Sequence, residues 1–108
     1  MSNNLVLINA AKEVSNTVSS LVSTYHQIRS VRKRDITILK ENIQIFQATC
    51  RSKGMGALIR TNIEEISKTQ ALIDSQSLSP FALEMAISQM GQLNKMLNKN
   101  MEEYMNGY

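Results

Sequence analysis

The chain has 108 residues and a formal net charge of +3, with 43% hydrophobic residues, 5% aromatic residues and no tryptophan. Four glycines and one proline are too few for the many turns of an all-β domain of this length. The longest apolar run, residues 5–8, is far shorter than the roughly 20 residues that span a bilayer. We therefore expect one all-α domain over residues 1–108, with no membrane contact and a cytoplasmic location.

The first half of the chain carries apolar residues at helical spacing. A first set follows a heptad and consists of Leu7, Ala11, Val14, Val18, Leu21, Tyr25 and Ile28. A second set consists of Ile36, Leu39, Ile43, Phe46 and Cys50. Between the two sets, the spacing from Ile28 to Arg32 and from Arg32 to Ile36 is four residues each. Two consecutive spacings of four interrupt the alternation of three and four in a heptad, an irregularity called a stutter. We expect one continuous helix over about residues 5–52, and the alternative is a four-helix fold that breaks near residues 32–35, with Asp35 capping the new helix.

A β-hairpin is a further alternative for part of this segment. Residues 36–39 and 43–46 alternate between apolar and polar side chains, and residues 40–42 between them are polar. Such alternation is typical of two strands joined by a turn. The helical spacing of the surrounding residues favours the helix.

The second half predicts two shorter helices, over about residues 57–77 and 80–105. Gly54 and Gly56 supply the conformations that end the first helix, next to the basic residues 51 and 53. The second helix has an apolar stripe that Gln70 interrupts; its members are Ile59, Ile63, Ile66 and Ile73. The third helix has a clear start, because Ser79 fits the N-cap and Pro80 the first helical position. The fold expected is a long N-terminal helix packed against two shorter helices, as a coiled-coil-like three-helix bundle.

Catalytic chemistry has little support in this sequence. His26 is the only histidine, and no carboxylate stands at a spacing that would orient its ring. Cys50, the only cysteine, continues the apolar stripe of the first helix and has no partner for an internal disulfide. These two residues match no zinc spacing. We expect a protein that is not an enzyme and has no metal, no cofactor and no small-molecule substrate.

A basic cluster lies within the stutter and supports one functional hypothesis. Its members are Arg29, Arg32, Lys33 and Arg34. Closely spaced cations neutralise phosphates in nucleic-acid-binding proteins. The second half of the chain is acidic, however, and Tyr25 is the only aromatic residue nearby for base stacking. A small nucleic-acid-binding regulator is therefore the second hypothesis.

Two minor apolar stripes support the first hypothesis. At about 100° per residue, Val31, Ile38 and Ile45 fall together, away from the main stripe of the first helix. The corresponding residues of the last helix are Phe81, Met85 and Met96. Flexible methionine side chains suit a surface that adapts to partners. These six residues predict a helical protein–protein interaction module that is not an enzyme: an adaptor, small chaperone, inhibitor or assembly subunit that binds another protein or itself, as a homo-oligomer.

Overall fold

A computed structural model describes residues 2–50 and 56–107, which fold into four α-helices with no strand among them. The helices are α1 (Ser2–Ile28), α2 (Lys33–Thr49), α3 (Ala57–Asp74) and α4 (Pro80–Met105). Each helix packs against the next one in the chain, and α4 packs against α1. Within the described ranges, α2 and α4 make no close backbone contact, because they lie diagonally across the bundle. The all-α helical bundle predicted from the sequence is confirmed.

The preferred prediction of one continuous helix over residues 5–52 is wrong. α1 ends at Ile28 and α2 begins at Lys33, so the four-helix alternative is the observed one. Arg29 adopts the left-handed conformation, with φ of 57°, and its N–H donates to the Tyr25 carbonyl oxygen. The N-cap of α2 is Arg32, which makes no side-chain cap hydrogen bond, and Asp35 lies in the first turn rather than at the cap.

Charge explains why the helix breaks here. A continuous heptad would place Arg32 on the apolar seam between Ile28 and Ile36, and burial of an unpaired guanidinium is costly. The break leaves Arg32 exposed and lets α2 fold back on α1, so that Ile36 is 3% exposed. Ile28, predicted to continue the seam, is 44% exposed at the end of α1.

The core is built from aliphatic side chains of all four helices, with Phe46 the largest fully buried residue. The predicted main stripes of α1, α2 and α3 face it, apart from Ile28, and α4 contributes Ala86, Ile87, Met90, Leu97 and Met101. Among the core residues are Val14, Val18, Leu21, Leu39, Ile43, Ile59, Ile63, Ile66, Ile87, Met90 and Leu97. The β-hairpin alternative is wrong, because residues 36–46 belong to α2 and bury every third or fourth side chain.

α3 begins at a glycine that the packing requires. Gly56 has φ of 61°, and a Cβ added there would lie 2.6 Å from Leu7 Cδ2. Position 56 therefore favours glycine for two reasons, because the backbone is left-handed and because a side chain would collide with Leu7. Gly54 and the neighbouring basic residues 51 and 53, which were predicted to help end the preceding helix, lie outside the described residues. α3 ends at Asp74, three residues before the predicted limit.

The predicted start of α4 is confirmed. Ser79 is extended and caps the helix, and its Oγ accepts a hydrogen bond from the Ala82 N–H at 3.2 Å. Pro80 is the first helical residue, as its fixed φ and missing N–H favour. This cap fixes where α4 leaves the α3–α4 loop, and so it fixes the position of Phe81 in the first turn.

Hydrogen bonds between polar side chains connect neighbouring helices at fixed registers. Asn42 of α2 donates to Thr17 Oγ1 of α1 at 2.7 Å, and Asn100 of α4 donates to Asn62 Oδ1 of α3 at 2.6 Å. Between α1 and α4, Ser15 Oγ donates to Asn98 Oδ1 at 2.8 Å. Shifting any of these helix pairs by one turn would leave such groups unpaired, so the bonds favour one register.

Candidate interaction surfaces

An exposed apolar surface lies on α4 and the adjoining edge of α3. Phe81, Met85 and Met96 are 75%, 58% and 54% exposed, and at about 100° per residue they fall within an arc of roughly 60°. Leu72 of α3 is 54% exposed and lies across a groove from Met85. We call these four residues the α4 face.

The groove of the α4 face has a volume of about 400 Å³ and carries no charged side chain. Its apolar walls come from Leu72, Leu78, Ala82, Met85 and Ala86. The polar side chains at its edge, Ser88, Gln89 and Gln92, are all neutral. An open apolar groove with neutral polar edges is suited to the side chains of a helix from another protein molecule.

A second, smaller surface lies on α2. Ile38 is 38% exposed and Ile45 57% exposed, and they are seven residues apart on one side of the helix, which we call the α2 face. Ile38 also borders a shallow groove with Asn16 and Ser20 of α1. Val31 does not share this face as predicted. Because the helix is interrupted at residues 29–32, Val31 lies in the α1–α2 loop, where it is partly buried against the core.

The structure does not bring the six predicted binding residues together. Since α2 and α4 occupy diagonal positions in the bundle, the outer side of one helix points away from the outer side of the other. The sequence could not show this, because periodicity locates an apolar stripe on its own helix but not relative to other helices. The candidate site is therefore two surfaces on opposite sides of one bundle.

The basic cluster lies at the end of the bundle that holds the α1–α2 loop, and all four of its side chains are exposed. Arg29 Nη1 donates to Glu84 Oε1 of α4 at 3.0 Å, so its charge is already paired. Tyr25 is 5% exposed and cannot stack on a nucleobase without unfolding the end of α1. The cluster thus has exposed cations that could contact phosphates, but Tyr25 does not provide an aromatic ring on which a base could stack.

A cleft that the sequence did not predict lies between the α1–α2 and α3–α4 loops. It has a volume of about 280 Å³. Its apolar lining consists of Val31, Ile36, Ile73, Leu78 and Leu83, and its polar lining of Arg29, Ser30, Lys33, Asp74 and Gln76. These residues come from separate parts of the chain that only the closed bundle brings together. No local motif could therefore have revealed the cleft.

The two loops that line this cleft share an unusual backbone conformation. Arg29 and Gln76 both have φ of 57°, and within the described ranges they are the only residues other than glycine with positive φ. Each follows the C-terminal end of a helix, where glycine is favoured because the left-handed conformation costs other residues about 1 kcal/mol. Both residues line the cleft.

The isolated histidine and cysteine form no site in this structure. His26 is exposed and makes an edge contact with Tyr25, with ring centroids 6.0 Å apart. Cys50 is partly buried and packs against the core, as its place in the apolar stripe predicted. No group of three potential metal ligands occurs in the described part of the chain. Within the same ranges, none of the four helices has an apolar stretch long enough to cross a bilayer.

No family model, no curated protein and no solved structure matches the chain.

Proposed function

We propose that this protein is a helical protein–protein interaction module without enzymatic activity. It associates with a second copy of itself in the cytoplasm, and it binds another protein as an adaptor, small chaperone, inhibitor or assembly subunit. The α4 face is the observation that carries this proposal. The bundle buries a continuous core from all four helices, yet Phe81 remains 75% exposed beside an open apolar groove. Single exposed apolar residues are ordinary, whereas a cluster beside a groove is typical of an interaction site.

A second copy is the partner that the α4 face suits best. In a two-fold dimer the same surface meets itself, so like charges on it would repel. The groove between Leu72 and Met85 has no charged lining, which removes this penalty. The longest and intermediate extents of the bundle, 43 and 22 Å, provide enough area for the roughly 800 Å² per partner that a standard interface buries.

Helix geometry suggests how the two copies meet. Met85 and Met96 are eleven residues apart, which is about three helical turns on one side of α4. If the two α4 helices run antiparallel across the two-fold axis, Met85 of each copy faces Met96 of the other. The adaptable methionine side chains then fill the contact, and Phe81 packs at its edges.

The α2 face is left for a different protein. Because α2 lies diagonally across the bundle from α4, dimerisation through the α4 face leaves Ile38 and Ile45 exposed on the outer sides of both copies. A dimer of this kind presents two identical sites to its partner, and avidity strengthens binding to a partner that is itself multivalent.

The test introduces a charge into each face and measures mass and helicity. Phe81→Asp adds an acidic residue to the first turn of α4, where the helix dipole favours it, so helicity should be preserved while the mass falls to that of a monomer. Ile45→Asp should leave the dimer intact. Ser23→Asp, at an exposed α1 position in neither face, is the matched control and should have no effect. A Phe81→Asp protein with the same mass as the unmodified chain would contradict the assignment of the α4 face.

Nucleic-acid binding is the second candidate function, favoured by the exposure of all four cluster cations at one end of the bundle. Its measurable signature is an affinity for DNA or RNA that falls steeply with salt. Replacing Arg32 and Arg34 by Gln should reduce that salt slope, whereas replacing Lys95 and Lys99 of α4 should not. A slope that the Arg32 and Arg34 changes leave unaltered would exclude this candidate.

A further inference from the structure

The cleft between the two loops shares only Leu78 with the groove of the α4 face, and it has features of a small-molecule site. Its apolar floor includes Ile36 and Ile73, which are only 3% and 5% exposed, so the cleft reaches the edge of the core. A volume of about 280 Å³ exceeds the roughly 150 Å³ that is enough to hold benzene in an engineered protein cavity. The cleft is therefore large enough for the side chain of an aliphatic or aromatic amino acid.

Two opposite charges line this apolar floor without neutralising each other. Lys33 is in the first turn of α2, and Asp74 is the last residue of α3. Neither is within 4.0 Å of an opposite charge among the described residues. The third charged side chain of the cleft, Arg29, is paired with Glu84. The cleft thus offers one cation and one anion to a ligand.

The two loops that line this cleft each contain one residue in a strained backbone conformation. Arg29 and Gln76 occupy the two left-handed positions where glycine would fit with less strain, and both residues line the cleft. Residues in strained backbone conformations are concentrated at active sites, ligand-binding segments and switch regions. The Gln76 amide can donate to a carboxylate and accept from an ammonium group.

We propose that the cleft binds a free amino acid with an apolar side chain, such as leucine. The ligand carboxylate pairs with Lys33, its ammonium group pairs with Asp74, and its side chain lies on the apolar floor. A zwitterion satisfies both charges at once, whereas a simple carboxylate would meet repulsion from Asp74 and a simple amine would meet repulsion from Lys33. This proposal does not depend on the proposed dimer, since the assigned contacts, Lys33, Asp74 and the floor residues Ile36 and Ile73, do not line the groove of the α4 face.

The first test compares ligands that differ from leucine by one group. NMR follows the chemical shifts of the Val31, Ile36 and Ile73 methyl groups during titration with leucine and with three related compounds. Of these, 4-methylpentanoate lacks the ammonium group and 3-methylbutylamine lacks the carboxylate. The third, asparagine, has a polar side chain of similar shape. Leucine should bind in the millimolar range, as expected for a small ligand in an open site, and the other three several-fold more weakly. Equal binding of 4-methylpentanoate or asparagine, or no shift with leucine at 50 mM, would overturn the proposal.

The second test removes each charge in the folded protein. Lys33→Gln and Asp74→Asn should each weaken leucine binding about three- to fivefold, the range expected for exposed ion pairs. The matched controls, Lys40→Gln and Glu41→Gln, alter exposed charges of α2 that do not line the cleft and should leave the affinity unchanged. In addition, Asp74→Asn should bring 4-methylpentanoate closer to leucine in affinity. Cleft variants that bind leucine as tightly as their controls would contradict the assigned contacts.

Discussion

Arg29 and Gln76 adopt the same left-handed backbone conformation, each with φ of 57°, and line the same cleft from the two loops at one end of the bundle. Both residues end a helix and turn the chain toward the next one. The turn therefore requires a left-handed backbone conformation at both positions, although glycine would adopt this conformation with less strain than arginine or glutamine.

Replacing Gln76 by glycine should stabilise the protein. Glycine removes the strain of a side chain at positive φ, so the free energy of unfolding should rise by about 1 kcal/mol. Gln44→Gly, at an exposed position within α2, is the matched control and should lower the free energy of unfolding by about 1 kcal/mol. Urea unfolding monitored by circular dichroism measures both changes. Equal losses of stability in the two variants would show that Gln76 is not strained.

Alanine substitutions at two glycines should have opposite effects. Gly56→Ala places a Cβ 2.6 Å from Leu7 Cδ2 at a positive φ and should destabilise the fold by more than 1 kcal/mol. Gly91 lies within α4, and an added Cβ there would meet no atom within 4 Å. Gly91→Ala should therefore stabilise the fold by about 0.5 to 1 kcal/mol. Thermal unfolding measures the two shifts, and a change of the same sign in both variants would contradict this packing.

The fold could be predicted where local signals and packing agree. The Ser79 cap and Pro80 identify the start of α4 from neighbouring residues alone, and the spacing of Ile59, Ile63 and Ile66 identifies a buried helix face. Around Arg32 the two kinds of signal disagree. The local pattern permits a continuous helix, and the break results from the energy of folding α2 back on α1 while leaving the arginine in solvent.

The candidate sites were predicted less completely than the fold, for geometric reasons. The exposure of Ile38, Ile45 and Phe81 follows from their positions off the main stripes, so helical periodicity was sufficient for it. The diagonal placement of the two faces depends on how four helices pack, which no single stripe encodes. The cleft joins residues as distant in sequence as Arg29 and Leu83, and only the closed bundle brings them together.

The two phenylalanines should respond very differently to truncation. Phe46 is fully buried, and Phe46→Ala should lower the free energy of unfolding by about 3 to 5 kcal/mol, because it removes buried area and leaves a cavity. Phe81→Ala should change the stability of the monomer by less than about 0.5 kcal/mol. Unfolding at low protein concentration separates these effects from dimerisation. A large loss of monomer stability from Phe81→Ala would make Phe81 a core residue and contradict its role in the α4 face.

A buried asparagine at the α1–α4 contact should be replaceable by leucine. Asn94 Nδ2 donates to Ser19 Oγ at 3.0 Å and to the Ser15 carbonyl oxygen at 3.3 Å, but Oδ1 is buried with no hydrogen-bond partner among the described residues. Asn94→Leu should raise the free energy of unfolding by about 1 kcal/mol, because it removes an unsatisfied carbonyl. Asn100→Leu is the contrast, since it leaves the buried Asn62 Oδ1 without its donor and should cost about 1 to 3 kcal/mol. If both variants lose stability in urea, the Asn94 amide is better satisfied than this structure indicates.

The absolute mass of the unmodified protein in solution tests the central claim of self-association most directly. Light scattering behind size exclusion should be recorded over a hundredfold range of concentration, at low and at high salt. A dimer through the α4 face, whose groove has no charged lining, predicts a mass of twice 12.2 kDa that is little affected by salt. A mass of 12.2 kDa at every concentration would contradict self-association and leave the α4 face to a different protein.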